Sequence, residues 1–298
     1  MKFRTDLALE RHEMLKNELK GVKATKREND EATTTIIEIT DNVAAEKLGK
    51  AIGKYITLEM NSFSDEPAVS DGRLKALIDS IKELLPEGDG VVLVAGVGNE
   101  SITSDALGPM TASNIFATRH INDELRKYAG FNEKLRPVAA VSTGVLGKTG
   151  IESSEYIKSI CESIHPECVI TIDALAAGSV KRLGTTVQMS DTGIAPGSGI
   201  GNNRKRIDEA FIGVPVIAIG IPTVVDAQTM IYNIFGPNYG CEKDIDMIEQ
   251  YFQHNKNYFV SLKETDVIIE KMTKVLSLSI NCTLHNKLNL GEIEELTN

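Results

Sequence analysis

The stretch VAGVGNESITSDALGP, Val94 to Pro109, starts as a hydrophobic strand, turns at Gly96 and Gly98, and runs into a helix start marked by Asp105 and Pro109. Strand, glycine turn and helix in that order is a building unit of parallel sheets, and such turns often cradle phosphate at the helix N-terminus. This turn, however, carries Glu100 and Asp105, and carboxylates repel phosphate. The third glycine of G-x-G-x-x-G is missing, and no ribose-binding acid ends the next strand. GSGIGNNRKR (197–206) is Gly-rich and basic but lacks the G-x-x-x-x-G-K-[ST] spacing. A bound dinucleotide or nucleoside triphosphate is therefore disfavoured.

Outward from this unit the pattern repeats. GVVLVAG (90–96), PVAAVST (137–143), ECVITID (167–173) and VPVIAIGIP (214–222) are near-continuous apolar runs. Such runs suit strands covered on both faces of a parallel sheet. TTVQMSD (185–191) alternates more and is expected at an edge. Helical spacing fills 105–128, 153–165 and 264–285, and DGRLKALIDSIKELLP (71–86) is a further helix. The expected fold class is α/β, a mostly parallel central sheet flanked by helices. Upstream, TTTIIEIT (33–40) and KYITLEM (54–60) read as strands around a short helix. Residues 7–20 read as an amphipathic helix, 21–33 as a loop, and the tail 286–298 as frayed or disordered.

The 298 residues are enough for one large domain, and the net charge of −10 argues against a nucleic-acid partner, which needs a cationic face. The start of the chain has no apolar run of the secretory kind, and no segment approaches membrane-spanning length, so an intracellular protein is expected. Cys161, Cys168, Cys241 and Cys282 form no C-x-x-C pair, as expected of a reducing compartment.

In an open α/β sheet, sites form where strands end at their carboxyl edge. Asp105, Asp173 and Asp226 all fall in such turns. Asp105 and Asp173 could hold one water between them. Like charges at close range raise one pKa, so one carboxylate takes a proton from water while its neighbour donates one. The bland alternatives are a helix N-cap for Asp105 and a turn role for Asp173. A metal held by Asp105 and Asp173 with Glu100 or Asp226 is a competing reading, but no His-containing ligand motif supports it. No G-x-S-x-G elbow is present. His12, His120, His165, His254 and His285 read as surface or structural residues, and Cys161 and Cys168 sit at the wrong edge of the sheet for a nucleophile.

GVGNESITSDALGP, TGVLGKTGIESSEYI, IDALAAGSVKRLGTTVQMSDTGIAPGSGIGNNRKRI and GVPVIAIGIPTVVDA together resemble the bacterial germination proteases, over most of residues 1–230. The resemblance implies a core similar to hydrogenase maturation proteases and an atypical aspartic endopeptidase with no cofactor or metal. It implies degradation of small acid-soluble spore proteins at germination, a homotetramer, and a place in the forespore and spore-core cytoplasm. It puts the catalytic roles on Asp105 and Asp173. Germination proteases cut after an acidic residue and before a hydrophobic one, and they process themselves. RTDLALE offers such a bond at Asp6–Leu7, so residues 1–6 are expected to be a propeptide and 7–298 a single catalytic domain. An acidic residue before the cut needs a cationic partner, for which Arg204, Lys205 and Arg206 are candidates. The glycines of the Val94–Pro109 stretch are expected to let backbone approach a peptide substrate closely.

Overall fold

The computed structural model describes residues 4–15, 19–60, 72–121, 135–197, 204–235, 250–252 and 258–297. Cys241, His254, part of the helix expected over 105–128 and part of the basic loop at 197–206 fall outside them.

In chain order the strands are β1 (Val22–Glu28), β2 (Ala32–Ile39), β3 (Gly53–Met60), β4 (Val92–Val97), β5 (Val138–Gly144), β6 (Cys168–Ala177), β7 (Thr186–Ser190), β8 (Val216–Asp226) and β9 (Phe259–Val260). The helices are α1 (Ala8–Glu13), α2 (Asn42–Leu48), α3 (Gly72–Leu84), α4 (Leu107–Ser113), α5 (Leu146–Thr149), α6 (Ser153–Ile164), α7 (Glu209–Ile212), α8 (Ala227–Phe235), α9 (Thr265–Leu284) and α10 (Leu290–Thr297). All strands join one sheet in the order β1-β2-β3-β7-β8-β6-β4-β5, with β9 against β8. The α/β class holds, but the sheet is mixed. Only β5, β4, β6 and β8 run parallel; β7, β3, β2 and β1 extend it antiparallel.

Two local differences have one cause, the number of covered faces. The β7 segment, expected at an edge, lies inside the sheet between β3 and β8. All five of its residues are buried: Val187 and Met189 join the core cluster of Ile56 and Ile219, and Gln188 takes the Ala8 N–H of the N-terminal segment. The reverse holds at 22–28, expected to be a loop. β1 is exposed along nearly its whole length, yet it pairs with β2 from Val22↔Ile39 to Glu28↔Thr33. An edge strand with both faces wet carries no apolar alternation to read.

Helices cover both faces. Leu77, Ile81, Leu107, Met272, Leu276 and Ile280 pack on one side with Val94, Ile170 and Ile219. Ile157, Cys161 and Ile212 pack on the other with Leu93, Val169 and Val216. Among the described residues of the amphipathic stretch near the start, the helix is Ala8–Glu13, with Leu9 buried and Met14 exposed; residues 16–18 of the expected helix lie outside them. The tail, expected to fray, forms α10. Asn289 and Glu292 cap its start reciprocally, at 3.0 and 2.7 Å, and Ile293 is fully buried against Leu74 and Leu278. Among the described residues, no helix is long and apolar enough to cross a membrane.

Candidate active site

The parallel strands end at different heights, and the step between them makes the site. The β4–β6 ladder stops at Gly96↔Ile172, whereas β6 continues beside β8 from Asp173↔Gly220 to Ala177↔Val225. Asp173, expected at a strand end, is thus held rigidly inside β6 at the level where β4 has stopped. The turn after β4 fills the notch. Gly98, at φ +128°, reverses the chain, and a Cβ there would stand 2.2 Å from the Asp105 carbonyl oxygen. Gly108 is tighter still: its Cβ would meet the Val97 and Ile172 carbonyl oxygens at 2.2 and 2.4 Å. These two glycines admit the protein's own backbone, which brings α4 onto β4 and β6. The β8 residue Thr223 anchors the turn, its hydroxyl donating to the Ser104 carbonyl at 2.6 Å.

Asp105 does not cap α4. The N-cap is Ala106, without a side-chain bond, and the Asp105 carboxylate instead folds back to accept the Asn99 N–H at 2.7 Å. Asp105 and Asp173 line one cavity of about 300 Å³, together with Asp6, Arg204, Thr223 and Phe259. Burial raises the Asp105 carboxyl above its ordinary value, against the pull of the Asn99 N–H and Arg204. Asp173 is pushed higher, first by burial and then by the charges of Asp105 and Asp6. The Ala174 N–H, at 2.9 Å, and Arg204 oppose this only in part. The more buried Asp173 therefore keeps a proton after Asp105 has lost one, as expected of close acids in unequal surroundings.

Residues of the N-terminal segment occupy this site. The Asp6 N–H donates to the Ala176 carbonyl at 2.9 Å, and its carboxylate accepts the Ala176 N–H at 2.9 Å. Ala176 lies where β6 has outrun β4, so Asp6 docks much as an added strand does. Leu7 is fully buried in the core cluster that holds Val97 and Leu175. On one flank, the Arg4 N–H donates to the Thr229 hydroxyl at 3.1 Å, and its guanidinium reaches Asp226 at 3.4 Å. On the other, buried Glu10 accepts the Gly178 and Ser179 N–H groups at 2.6 and 3.1 Å, and Thr5 also donates to it. A second cavity of about 180 Å³ shares Asp6 and Asp173 and adds Lys50, Tyr55, Gln188 and Arg206.

The basic run divides. Arg204 lines the acid cavity and Arg206 the second one, where it pairs with Asp208 at 2.8 Å. Lys205 turns away to the surface, pairing with Glu155 at 2.6 Å. Glu100 is exposed, and Asp226 is engaged by Arg4 and by Thr229 at 2.9 Å, so neither joins the acid pair. Among the described residues, no group of three or more His, Cys, Asp or Glu side chains is placed to hold a metal ion. Burial pushes the Cys161 and Cys168 thiols up to about 11, far from a thiolate nucleophile. Sequence reasoning did not single out Lys50, Gln188 or Thr223. A glutamine inside a buried strand was the one available signal, since a buried amide must find partners.

The sequence profile of the germination protease family matches residues 4–236. A germination protease of Caldanaerobacter subterraneus subsp. tengcongensis is 39% identical, over 99% of this chain and 98% of its own. One of Clostridium perfringens is 35% identical over 99% of both chains. One of Bacillus mycoides is 33% identical over 96% of this chain and 94% of its own. Among solved structures, the hydrogenase maturation protease HycI of Thermococcus kodakarensis aligns with 66% of this chain and 98% of its own. Its identity is 14% and its TM-score 0.33, too slight a likeness to carry an argument about the site.

Proposed function

We propose that this chain, which belongs to the germination protease family and is a peptidase, hydrolyses peptide bonds with Asp105 and Asp173 and cuts its own Asp6–Leu7 bond. In this reading Asp105 is the base. It takes a proton from a water held between the two acids, and the water oxygen attacks the carbonyl carbon. Asp173, the acid that keeps its proton, gives it up as the C–N bond breaks, and the leaving nitrogen departs as an amine. Arg204 is the cation in the same cavity that would face an acidic side chain before the cut. The observation that carries the reading is the position of Asp6, in the cavity of both acids and bound to Ala176 by backbone and side chain. Small acid-soluble spore proteins would be the substrates in trans, presenting an acidic then a hydrophobic residue to the same place.

The test is a timed incubation of the full chain, read by intact mass, with a chelator in a parallel sample. Loss of residues 1–6 in both samples is expected. Asp105→Asn and Asp173→Asn should each slow this loss, and cleavage of a Glu–Ile peptide, by roughly 10²–10⁴-fold, the usual contribution of a positioned proton-transfer group. Near-normal rates in either variant would overturn the acid-pair mechanism. Abolition by the chelator would favour a metal-assisted one.

A further inference from the structure

The carbonyl oxygen of Asp6 receives two side-chain hydrogen bonds from elements remote in sequence. Lys50, just after α2, donates its Nζ at 2.6 Å, and Gln188 of β7 donates its Nε2 at 3.0 Å. Gln188 cannot be turned end for end at no cost, because its Oε1 accepts the Ala8 N–H. One amide therefore spans the Asp6–Leu7 bond, polarising the carbonyl before it and gripping the backbone after it. Both contacts are to main chain, so any sequence laid in this place would meet them.

We propose that Lys50 and Gln188 are further catalytic residues: they polarise the carbonyl that is cut and hold the oxygen as it becomes an oxyanion. This rests on Asp6–Leu7 being the bond hydrolysed. The acid pair supplies proton transfer, and in that scheme the one proton it holds, on Asp173, is committed to the leaving nitrogen rather than to the carbonyl oxygen. A cation and an amide N–H aimed at the carbonyl oxygen supply what is missing. When water adds, the carbonyl π electrons move onto that oxygen. When the C–N bond breaks they return, and Lys50 remains an ammonium throughout. Burial above all, joined by Arg11 and Arg206, brings the Lys50 pKa down, while Asp6 and Glu10 favour the charged form and oppose it; Tyr55 lines the same cavity. Loss of the Lys50 proton should then end activity on the alkaline side.

The experiment follows removal of residues 1–6 from the full chain by intact mass, across pH. Lys50→Met should slow it by roughly 10²–10³-fold, the cost of losing one oxyanion donor, and Gln188→Glu by about tenfold or more. Lys50→Arg should restore part of the rate and move the alkaline limb upward, which a merely structural lysine would not do. Should Lys50→Met fail to fold, Lys50→Gln and Gln188→Glu carry the same comparison. A wild-type chain that processes, beside Lys50 variants that process equally fast with an unmoved alkaline limb, overturns this inference and leaves the acid pair standing. A wild-type chain that never loses residues 1–6 overturns both the cut site and the inference built on it.

Discussion

Asp173 is kept above its ordinary titration range by burial and by two nearby carboxylates, and this burdens the folded state. A carboxyl whose folded pKa is raised binds more protons folded than unfolded. Stability therefore falls as pH rises from the ordinary aspartate range through the folded value, and levels off above it. Asp173→Asn keeps the shape and the acceptor for the Ala174 N–H but never ionises. Its melting temperature should exceed wild type at neutral pH, with the gain vanishing near pH 3, while proteolysis is lost. A calorimetric series showing equal or lower stability at neutral pH would contradict this account. At this scale the two acids were legible, because each follows an apolar run at the edge where α/β sheets build sites. Lys50 and Gln188 were not. A lysine after a helix-ending glycine looks like any solvated lysine until the N-terminal carbonyl is placed against it. The basic triplet was legible only as a group: which member lines the cavity and which pairs with Glu155 at the surface depends on where the rest of the fold places Glu155.

At the scale of elements, the site depends on a step in the sheet and on a turn that fits it. Gly98 is the point of that turn where the backbone takes a positive φ. Gly98→Ala would force a side chain onto a positive φ and into the Asp105 carbonyl, costing about 1–3 kcal/mol of local strain. The expected result is a folded protein with a modestly lower melting temperature and a much lower cleavage rate, since Asp105 must shift. Unchanged activity would mean that the turn tolerates another path. The parallel strands could be read because burial on both faces makes them continuously apolar, as in VLVAGV of β4. The mixed direction of the sheet could not. Direction is set by connections, and β7 enters between β3 and β8 from a short turn after β6 rather than through a helical crossover. The tail helix was hidden for a different reason. Its few apolar residues give weak periodicity, while its Asn289–Glu292 cap is a local signal that hydrophobic spacing does not register.

At the scale of the whole molecule, the chain is folded around its own beginning. Arg4 is tied to α8, Asp6 to β6, Leu7 to the core and Glu10 to the turn after β6. A segment held this way is not a collision partner; it already lies against the cavity of the two acids. The proposed cut is then first order in protein, and its half-time should stay constant over about a hundredfold dilution, because positioning has replaced encounter. A half-time that lengthens in proportion to dilution would show one molecule cutting another. The same tether makes the uncut chain its own competitor. If residues 1–6 are removed as proposed, a free substrate would until then face a rival whose effective concentration no ordinary dose can match, and occupancy alone would hold the uncut chain back without any misfolded site.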